Sequence, residues 1–389
     1  MHEPAWMTPA LKQSFVVSYV VLAPLVGAFA DSMPKGRVML FTNAIKFVGC
    51  ALMLFQMHPL VAYAVVGLGA AAYSPAKYGI LTELLPPQQL VVANGWIEGT
   101  TVASIILGVL LGGALISPKI AAMMLGFDMP MIDTNINTPP EGAISVIMGL
   151  YLVAAVFNWY IPDTGVDHRV PSKNPFFLIR EFSHCVVLLW KDRLGQISLA
   201  TTTLFWGAGA TLQFIVIDWA SRALGLNLSQ ASMLQGVVAV GIAIGAVLAA
   251  KFVTLRGAVK VLPIGATMGV VVMVMVLVQY LPLAMVLMVA IGTCAGFFVV
   301  PMNALLQHRG HVLMGAGHSI AVQNFNENIG ILVMVGLYAL MVRSGVSVNT
   351  AILMFGLFVA GTMLLVMWRH RRNQARGDSL HLIGVDKPN

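Results

Sequence analysis

Polar side chains inside long apolar runs are the residues of this chain whose types and spacing suggest chemistry. The first such stretch, Gly69 to Gly99, carries Lys77, Tyr78, Asn94 and Glu98 on either side of a short polar turn. A charge held in hydrocarbon costs at least about 2.5–3.5 kcal/mol on insertion scales, so a glutamate there is usually a functional residue. We therefore interpret Glu98 as a binding group that faces a polar pathway.

A second stretch, Gly296 to Gly330, repeats the order of apolar helix, proline, polar turn and polar helix. Its polar residues include Gln323, Asn324 and Glu327, and the last two share a helix face because they lie three residues apart. One or two buried amides would fit helix–helix hydrogen bonds worth about 0.6 kcal/mol each. Several amides with a glutamate exceed what packing needs, so the two stretches predict a duplicated unit with a polar cavity.

Lys77 has two interpretations that the residues leave open. It follows Pro75, whose ring leaves a backbone carbonyl unbonded nearby, and the hydroxyls of Tyr73 and Tyr78 flank it. Its ammonium either extends to the membrane interface or attracts a phosphate headgroup.

Small residues mark places where helices are expected to approach closely. In the sequence LFWGAG, over residues 204–209, the glycines thin a helix and Trp206 is a candidate to line the pathway. Pairs of glycines four residues apart are expected to serve helix packing; these are Gly108 with Gly112 and Gly241 with Gly245.

The first loop contains Gly27, Asp31, Lys35 and Arg37 in the sequence GAFADSMPKGR. The glycine permits close helix approach, and the aspartate is expected to pair with basic groups at neighbouring helix ends and to hold an inward gate shut. An ordinary basic loop would explain Lys35 and Arg37 but not Asp31. The pattern resembles the signature of the major facilitator superfamily, with Ser32 in place of a usual basic residue.

The amino-acid composition indicates that this chain is surrounded by a lipid bilayer rather than by water. Of its 389 residues 58% are apolar and 10% are charged, whereas a soluble globular chain carries about 25% charged residues. The pI of 9.4 reflects basic residues in loops between apolar spans, which is the positive-inside pattern rather than nucleic-acid binding. The three cysteines have no paired spacing, and no phosphate loop, zinc site or nucleophile turn occurs, so no cofactor, metal or enzymatic activity is expected. The pair His381 and Asp386 has an acyltransferase-like spacing that we attribute to chance.

We expect an all-α membrane protein with eleven transmembrane helices. Basic loops alternate with neutral ones, which predicts that the C-terminus is cytoplasmic and the N-terminus outside. Aligning the two stretches leaves five spans before six, as if the first helix of a six-helix repeat were missing. The expected spans are 13–30, 38–55, 61–82, 92–116, 143–161, 197–219, 231–252, 260–280, 283–306, 317–342 and 348–368. The expected domains are a bundle over 1–161, a cytoplasmic linker with an interfacial helix over 162–195, a bundle over 196–368 and a basic cytoplasmic tail over 369–389.

Four blocks give the chain a specific resemblance. Residues 69–81, 204–209, 296–310 and 315–328 resemble the bacterial lysophospholipid transporter family, a branch of the major facilitator superfamily with a two-bundle fold. Two departures are the missing first helix, which bears an aspartate–asparagine pair in the family, and Gln213, where the family pattern has a basic residue.

The resemblance implies a function. It implies movement of lysophosphatidylethanolamine, and of lysophosphatidylglycerol, from the outer to the inner leaflet of the bacterial inner membrane. A separate acyltransferase with acyl-carrier-protein synthetase activity would then restore the second chain, and the transporter itself is expected to be a monomer among membrane lipids.

The same resemblance suggests roles for the polar residues. Glu98 and Glu327 would bind the ethanolamine ammonium and Lys77 the phosphate. The amides of Asn94, Gln323 and Asn324 would bind the glycerol and ester. Two rivals stay open, namely a proton-coupled exporter of drugs or small metabolites, and a membrane subunit without transport activity that recruits the acyltransferase through residues 162–195.

Overall fold

The structure is a computed structural model that describes residues 15–125, 138–168, 172, 174–377 and 379–383. Within these ranges the secondary structure is helical. Helices satisfy every backbone hydrogen bond within their own segment, which a hydrocarbon environment demands.

The first helical residues are 15–21, and after a break at Leu22 the chain forms a short helix, α1, over Ala23–Ala30. The helices that follow on the N-terminal side are α2 Lys35–Leu54, α3 Pro59–Leu84, α4 Leu90–Ile116, α5 Pro118–Leu125, α6 Pro139–Trp159 and α7 Pro175–Lys191. Those that follow α7 are α8 Gly195–Leu224, α9 Leu228–Phe252, α10 Leu262–Val274, α11 Leu281–Met314, α12 Ala316–Arg343 and α13 Val348–Ala375. Short 3₁₀ turns occupy Pro87–Gln89, Leu255–Val261, Met275–Leu277 and Leu380–Leu382.

Ten helices of the described residues are long and apolar enough to cross a membrane. They coincide with the ten predicted spans from 38–55 onward. The remaining predicted span, 13–30, begins outside the described residues and is broken at Leu22, so the count of eleven stays a prediction.

Local sequence explains several helix boundaries. Helix α6 begins with Pro139 after a capping box in which Thr138 and Glu141 bond each other's backbone N–H groups, and this arrangement satisfies donors that a helix start leaves open. Helix α8 ends at Gly225, whose φ of +65° favours glycine. Pro75 and Pro301 lie inside α3 and α11, which are the apolar helices of the two repeated stretches.

By packing, the chain divides into two compact units. The first contains the described residues up to Glu83 together with Ser104–Ser183 and Gly315–Asn324, and the second contains Leu84–Ala103, His184–Met314 and Phe325–Asn389. The boundaries fall at the last residue of α3, within α4, within α7, between α11 and α12, and within α12. The domain limits predicted from the sequence follow the repeated stretches, whereas these two units are defined by packing. The predicted limits therefore stay a prediction.

Glycine pairs behave differently in the two units. In the second unit a Cβ added to Gly241 would lie 2.5 Å from the carbonyl oxygen of Val289, and one added to Gly245 would overlap the carbonyl oxygen of Thr293. The expectation that this pair serves helix packing is therefore confirmed, and the structure identifies α11 as the helix that α9 packs against. Among the described residues nothing lies within 4 Å of such an atom at Gly108 or Gly112, so the expectation that this pair serves packing stays a prediction.

Candidate functional site

Asp31, in the turn after α1, lies at the centre of an ion cluster in the first unit. Its Oδ1 accepts hydrogen bonds from Lys35 Nζ at 2.9 Å and from the backbone N–H of Gly317 at 2.7 Å. Its Oδ2 accepts one from the backbone N–H of His318 at 3.1 Å and lies 2.7 Å from the His318 ring Nδ1. Gly317 and His318 lie in the first turn of α12, where unbonded N–H groups and the helix dipole favour an anion.

The charge state of Asp31 follows from these contacts. Burial by itself would raise the pKa of the carboxyl group, but the hydrogen bond from His318 and the positive charge of Lys35 outweigh burial and hold the pKa well below its usual range. Asp31 is therefore a carboxylate at neutral pH.

Two glycines allow this approach. A Cβ added to Gly27 would lie 3.0 Å from the Cβ of Ala321, and one added to Gly317 would lie 2.6 Å from Asp31 Oδ1 and 2.7 Å from the carbonyl oxygen of Gly27. The chain enters α12 through Gly315, whose φ is +93°. Gly27 and Asp31 thus allow α1 to contact the start of α12. The sequence analysis did not predict α12 as the contact partner.

Lys35 extends the cluster to α3. Its ammonium donates to the carbonyl oxygen of Ala30 at 2.6 Å and pairs with Glu83 Oε1 at 3.1 Å. Glu83 Oε2 in turn accepts from the Thr164 hydroxyl at 2.9 Å. Arg37 is exposed and lines a groove of about 510 Å³ with Trp159 and Asp163 among other residues. Sequence reasoning missed Glu83 and His318, although each is a charged or titratable residue beside the end of an apolar run.

A second polar cluster lies in the second unit, between α4 and α11. The amides of Asn94 and Gln307 bond each other reciprocally, at 2.9 and 3.0 Å, and Asn94 also donates to the carbonyl oxygen of Leu90. One turn further along α4, Glu98 Oε1 accepts from Asn303 Nδ2 at 3.5 Å. All four side chains are buried, with Asn94 0% and Glu98 6% exposed. Sequence reasoning placed Asn94 and Glu98 on one face but missed Asn303 and Gln307, which meet that face.

The remaining predicted site residues are distributed over both units. In the first, Lys77 is half-buried with its ammonium 4.9 Å from the centre of the Tyr78 ring. Asn324, also in the first unit, donates to the Ser74 hydroxyl at 2.9 Å, and Gln323 is buried. In the second unit Glu327 is buried, as Glu98 is. Trp206, also in the second unit, is half-buried and meets Phe205 edge-on at 5.5 Å.

Comparison with known proteins agrees on one family. The family model described as Major Facilitator Superfamily matches residues 5–308. A protein named lysophospholipid transporter LplT, from Yersinia enterocolitica, is 43% identical over 346 residues, which cover 89% of this chain and 81% of the relative. A protein of the same name from Yersinia pestis is 42% identical over 346 residues, covering 89% of this chain and 80% of the relative.

Solved structures agree with that fold. The human organic anion transporter MFSD10 has a TM-score of 0.69 at 16% identity, covering 93% of this chain and 83% of its own. The transporter FucP has a TM-score of 0.69 at 14% identity, covering 96% of this chain and 91% of its own. The chain is therefore a multi-pass membrane protein that belongs to the lysophospholipid transporter family of the major facilitator superfamily.

Proposed function

We propose that this protein moves lysophospholipids across the bacterial inner membrane, from the outer to the inner leaflet. The observation that carries the proposal is the 43% identity, over 89% of the chain, to a relative named as a lysophospholipid transporter. Buried polar groups inside membrane-spanning helices support it, because they are costly unless they bind something or each other.

The substrate has a charged headgroup, a glycerol ester and one acyl chain, and the proposed binding groups match these parts. The carboxylates of Glu98 and Glu327 would meet the ammonium of lysophosphatidylethanolamine, while Lys77 would meet the phosphate. The amides of Asn94, Gln323 and Asn324 would bind the glycerol and ester, and Trp206 would line the pathway. In the structure the Asn303 amide donates a hydrogen bond to Glu98, so we infer that the substrate ammonium displaces that amide.

We assign the cluster around Asp31 to gating. It ties the start of α12 to α1 and α2 through ion pairs and backbone hydrogen bonds. Such a cluster is held by short charged contacts that are lost together once the helix ends separate. We infer that transport requires its release, and that Gly27, Asp31 and Lys35 are its essential members, with Arg37 as an outer, exposed one.

The proposal includes the surroundings of the protein. The distribution of basic loops favours a cytoplasmic C-terminus, and the product would appear in the inner leaflet. A separate acyltransferase with acyl-carrier-protein synthetase activity would consume it there. We expect the transporter to work as a monomer.

Reconstitution tests the function directly. Purified protein in vesicles is expected to move labelled lysophosphatidylethanolamine and lysophosphatidylglycerol between leaflets and to leave a labelled diacyl lipid in place. Glu98→Gln, which keeps the shape of the side chain but removes its charge, is expected to slow lysophosphatidylethanolamine at least about tenfold, because charged hydrogen bonds contribute about 1.5–3 kcal/mol. Proton-driven movement of soluble cations with no lysolipid movement would contradict the proposal and favour the exporter. Lysolipid movement without any partner protein would exclude the recruiting subunit.

A further inference from the structure

Lys46 is a buried lysine near the middle of α2 that the proposed function has not used. Lys46 is 8% exposed. The aliphatic part of its side chain packs against Gly69 of α3, where an added Cβ would lie 2.8 Å from Lys46 Cγ. Among the described residues no aspartate or glutamate oxygen lies within 4.0 Å of its ammonium. A buried charge is normally paired, so the surroundings of this ammonium need an explanation.

The contacts of Lys46 Nζ satisfy it only in part. It donates to Asn43 Oδ1 at 3.1 Å, and it lies 3.9 Å from the centre of the Tyr73 ring and 5.4 Å from that of Tyr151. Cation–π contacts recover only part of the free energy that an ammonium loses when it is removed from water.

Asn43 supplies an independent sign of a missing acceptor. The residue is 2% exposed, and its Nδ2 has no hydrogen-bond partner. The amide cannot simply be turned over, because its oxygen already accepts from the Lys46 ammonium and an N–H there would face a donor. The site therefore presents ammonium and amide N–H groups with a net positive charge, and the group that complements it is an oxyanion with several acceptor oxygens.

We propose that Lys46 and Asn43, walled by the Tyr73 and Tyr151 rings, form a binding site for the phosphate of a lysophospholipid headgroup. The inference rests on the proposed function and deepens it, since it adds a phosphate site on α2 to the one proposed for Lys77. The phosphodiester of a lysophospholipid links the headgroup alcohol to the acylated glycerol and so lies near the apolar part of the lipid, where a cation surrounded by aromatic rings inside the membrane suits it.

Ligand-induced thermal stabilisation of the purified full chain in detergent tests the site, because a ligand that binds the folded state raises the unfolding temperature with concentration. The probes are lysophosphatidylglycerol, a monoacylglycerol with the same acyl chain, and inorganic phosphate as competitor. The wild type is expected to respond to the lysolipid and not to the monoacylglycerol. Lys46→Met is expected to weaken the apparent affinity for the lysolipid at least tenfold, which is about 1.4 kcal/mol, and Lys46→Arg to restore part of it.

Two further variants separate binding from packing. Asn43→Asp places a carboxylate beside Lys46, so it is expected to preserve or raise the stability of the ligand-free protein while weakening lysolipid binding. This variant tests the site even if Lys46→Met does not fold. Lys251→Met is the matched control, because Lys251 is an exposed lysine that also lies over a ring, that of Phe252 at 5.4 Å; it is expected to bind as the wild type does.

Each outcome has one meaning. Competition by inorganic phosphate in the wild type that is lost in Lys46→Met or Asn43→Asp supports an oxyanion site that free phosphate also reaches. Weaker lysolipid binding by these two variants without such competition supports a site for the lipid headgroup alone. Wild-type affinity for lysophosphatidylglycerol in Lys46→Met, Lys46→Arg and Asn43→Asp would overturn the inference while leaving the transport function intact. A wild type that neither binds nor moves any lysolipid would overturn the proposed function as well.

Discussion

At the scale of single residues, Asp31 shows how a carboxylate is held ionised inside a protein. It accepts from one ammonium, one imidazole and two backbone N–H groups, and each favours the charged form. Because the pKa of Asp31 is lower in the folded state than in the unfolded chain, the group stabilises the fold above its unfolded pKa. This contribution disappears as pH falls through about 4 and below.

Asp31→Asn is therefore expected to lower stability by about 1.5–3 kcal/mol at neutral pH, because charge-assisted hydrogen bonds are lost. Lys35 keeps its contact with Glu83 in the variant, so the protein should still fold. Thermal unfolding in detergent between pH 3 and pH 7 measures the effect, and the variant should depend less on pH than the wild type. Asp163→Asn removes a largely exposed carboxylate of the same unit and should change little; equal losses in both variants would contradict the role given to Asp31.

The buried amide pair supports a second prediction at this scale. Asn94→Leu leaves the amide of Gln307 buried without its partner, which costs about 1–3 kcal/mol. Replacing both residues, with Asn94→Leu and Gln307→Leu, removes both polar groups and is expected to recover most of that loss. Unfolding temperatures of the two single variants and the double variant form the cycle, and additive losses would show that the two amides do not depend on each other.

At the scale of helices, hydropathy located the spans but not their ends. The prediction ended the span at 306, whereas α11 continues to Met314. Gln307, His308 and Arg309 interrupt the apolar run, yet all three are buried within the protein, and Arg309 pairs with Asp192 at 2.7 Å. In a hydropathy pattern, buried polar residues that bind other protein groups look the same as loop residues. For this reason Gln307 was not predicted as the partner of Asn94.

Sequence periodicity predicted which residues share a helix face more reliably than it predicted which residues they contact on other helices. The spacing of Asn94 and Glu98 correctly put them on one face of α4, because side chains four apart in a helix lie together. Their partners on α11 depend on which helices pack together, and a single sequence does not contain that information. The same limit applies to His318, which meets Asp31 from 287 positions further along the chain.

The start of α12 offers a test at the element scale. Gly317→Ala is expected to destabilise the first unit by about 1–3 kcal/mol, as overpacking does, because the added carbon meets both Asp31 and the backbone of Gly27. Gly336→Ala is the matched control in the same helix, since nothing in the described residues lies within 4 Å of the added carbon there. In an unfolding measurement the control should match or slightly exceed the wild type, as alanine favours helix over glycine. Equal stability of Gly317→Ala would show that α1 and α12 do not need this close approach.

At the scale of the whole molecule, the distribution of basic residues predicts the orientation of the protein in the membrane. Arg369, Arg371, Arg372 and Arg376 lie at the end of the last span and in the tail that follows it, whereas loops of the alternate set carry few basic residues. Since basic loops are retained on the cytoplasmic side, labelling of introduced cysteines in intact cells should separate the two sets. Arg376→Cys is expected to react with a membrane-impermeant thiol reagent only after the cells are opened, and Arg222→Cys, at the exposed end of α8, before that. The native cysteines give little background because Cys50 and Cys185 are buried and Cys294 is half-buried. Reaction of Arg376→Cys in intact cells would place the C-terminus outside the cell. Every loop would then lie on the side opposite to the one predicted, and a transporter of that opposite orientation would have to deliver lysolipid to the cytoplasmic acyltransferase.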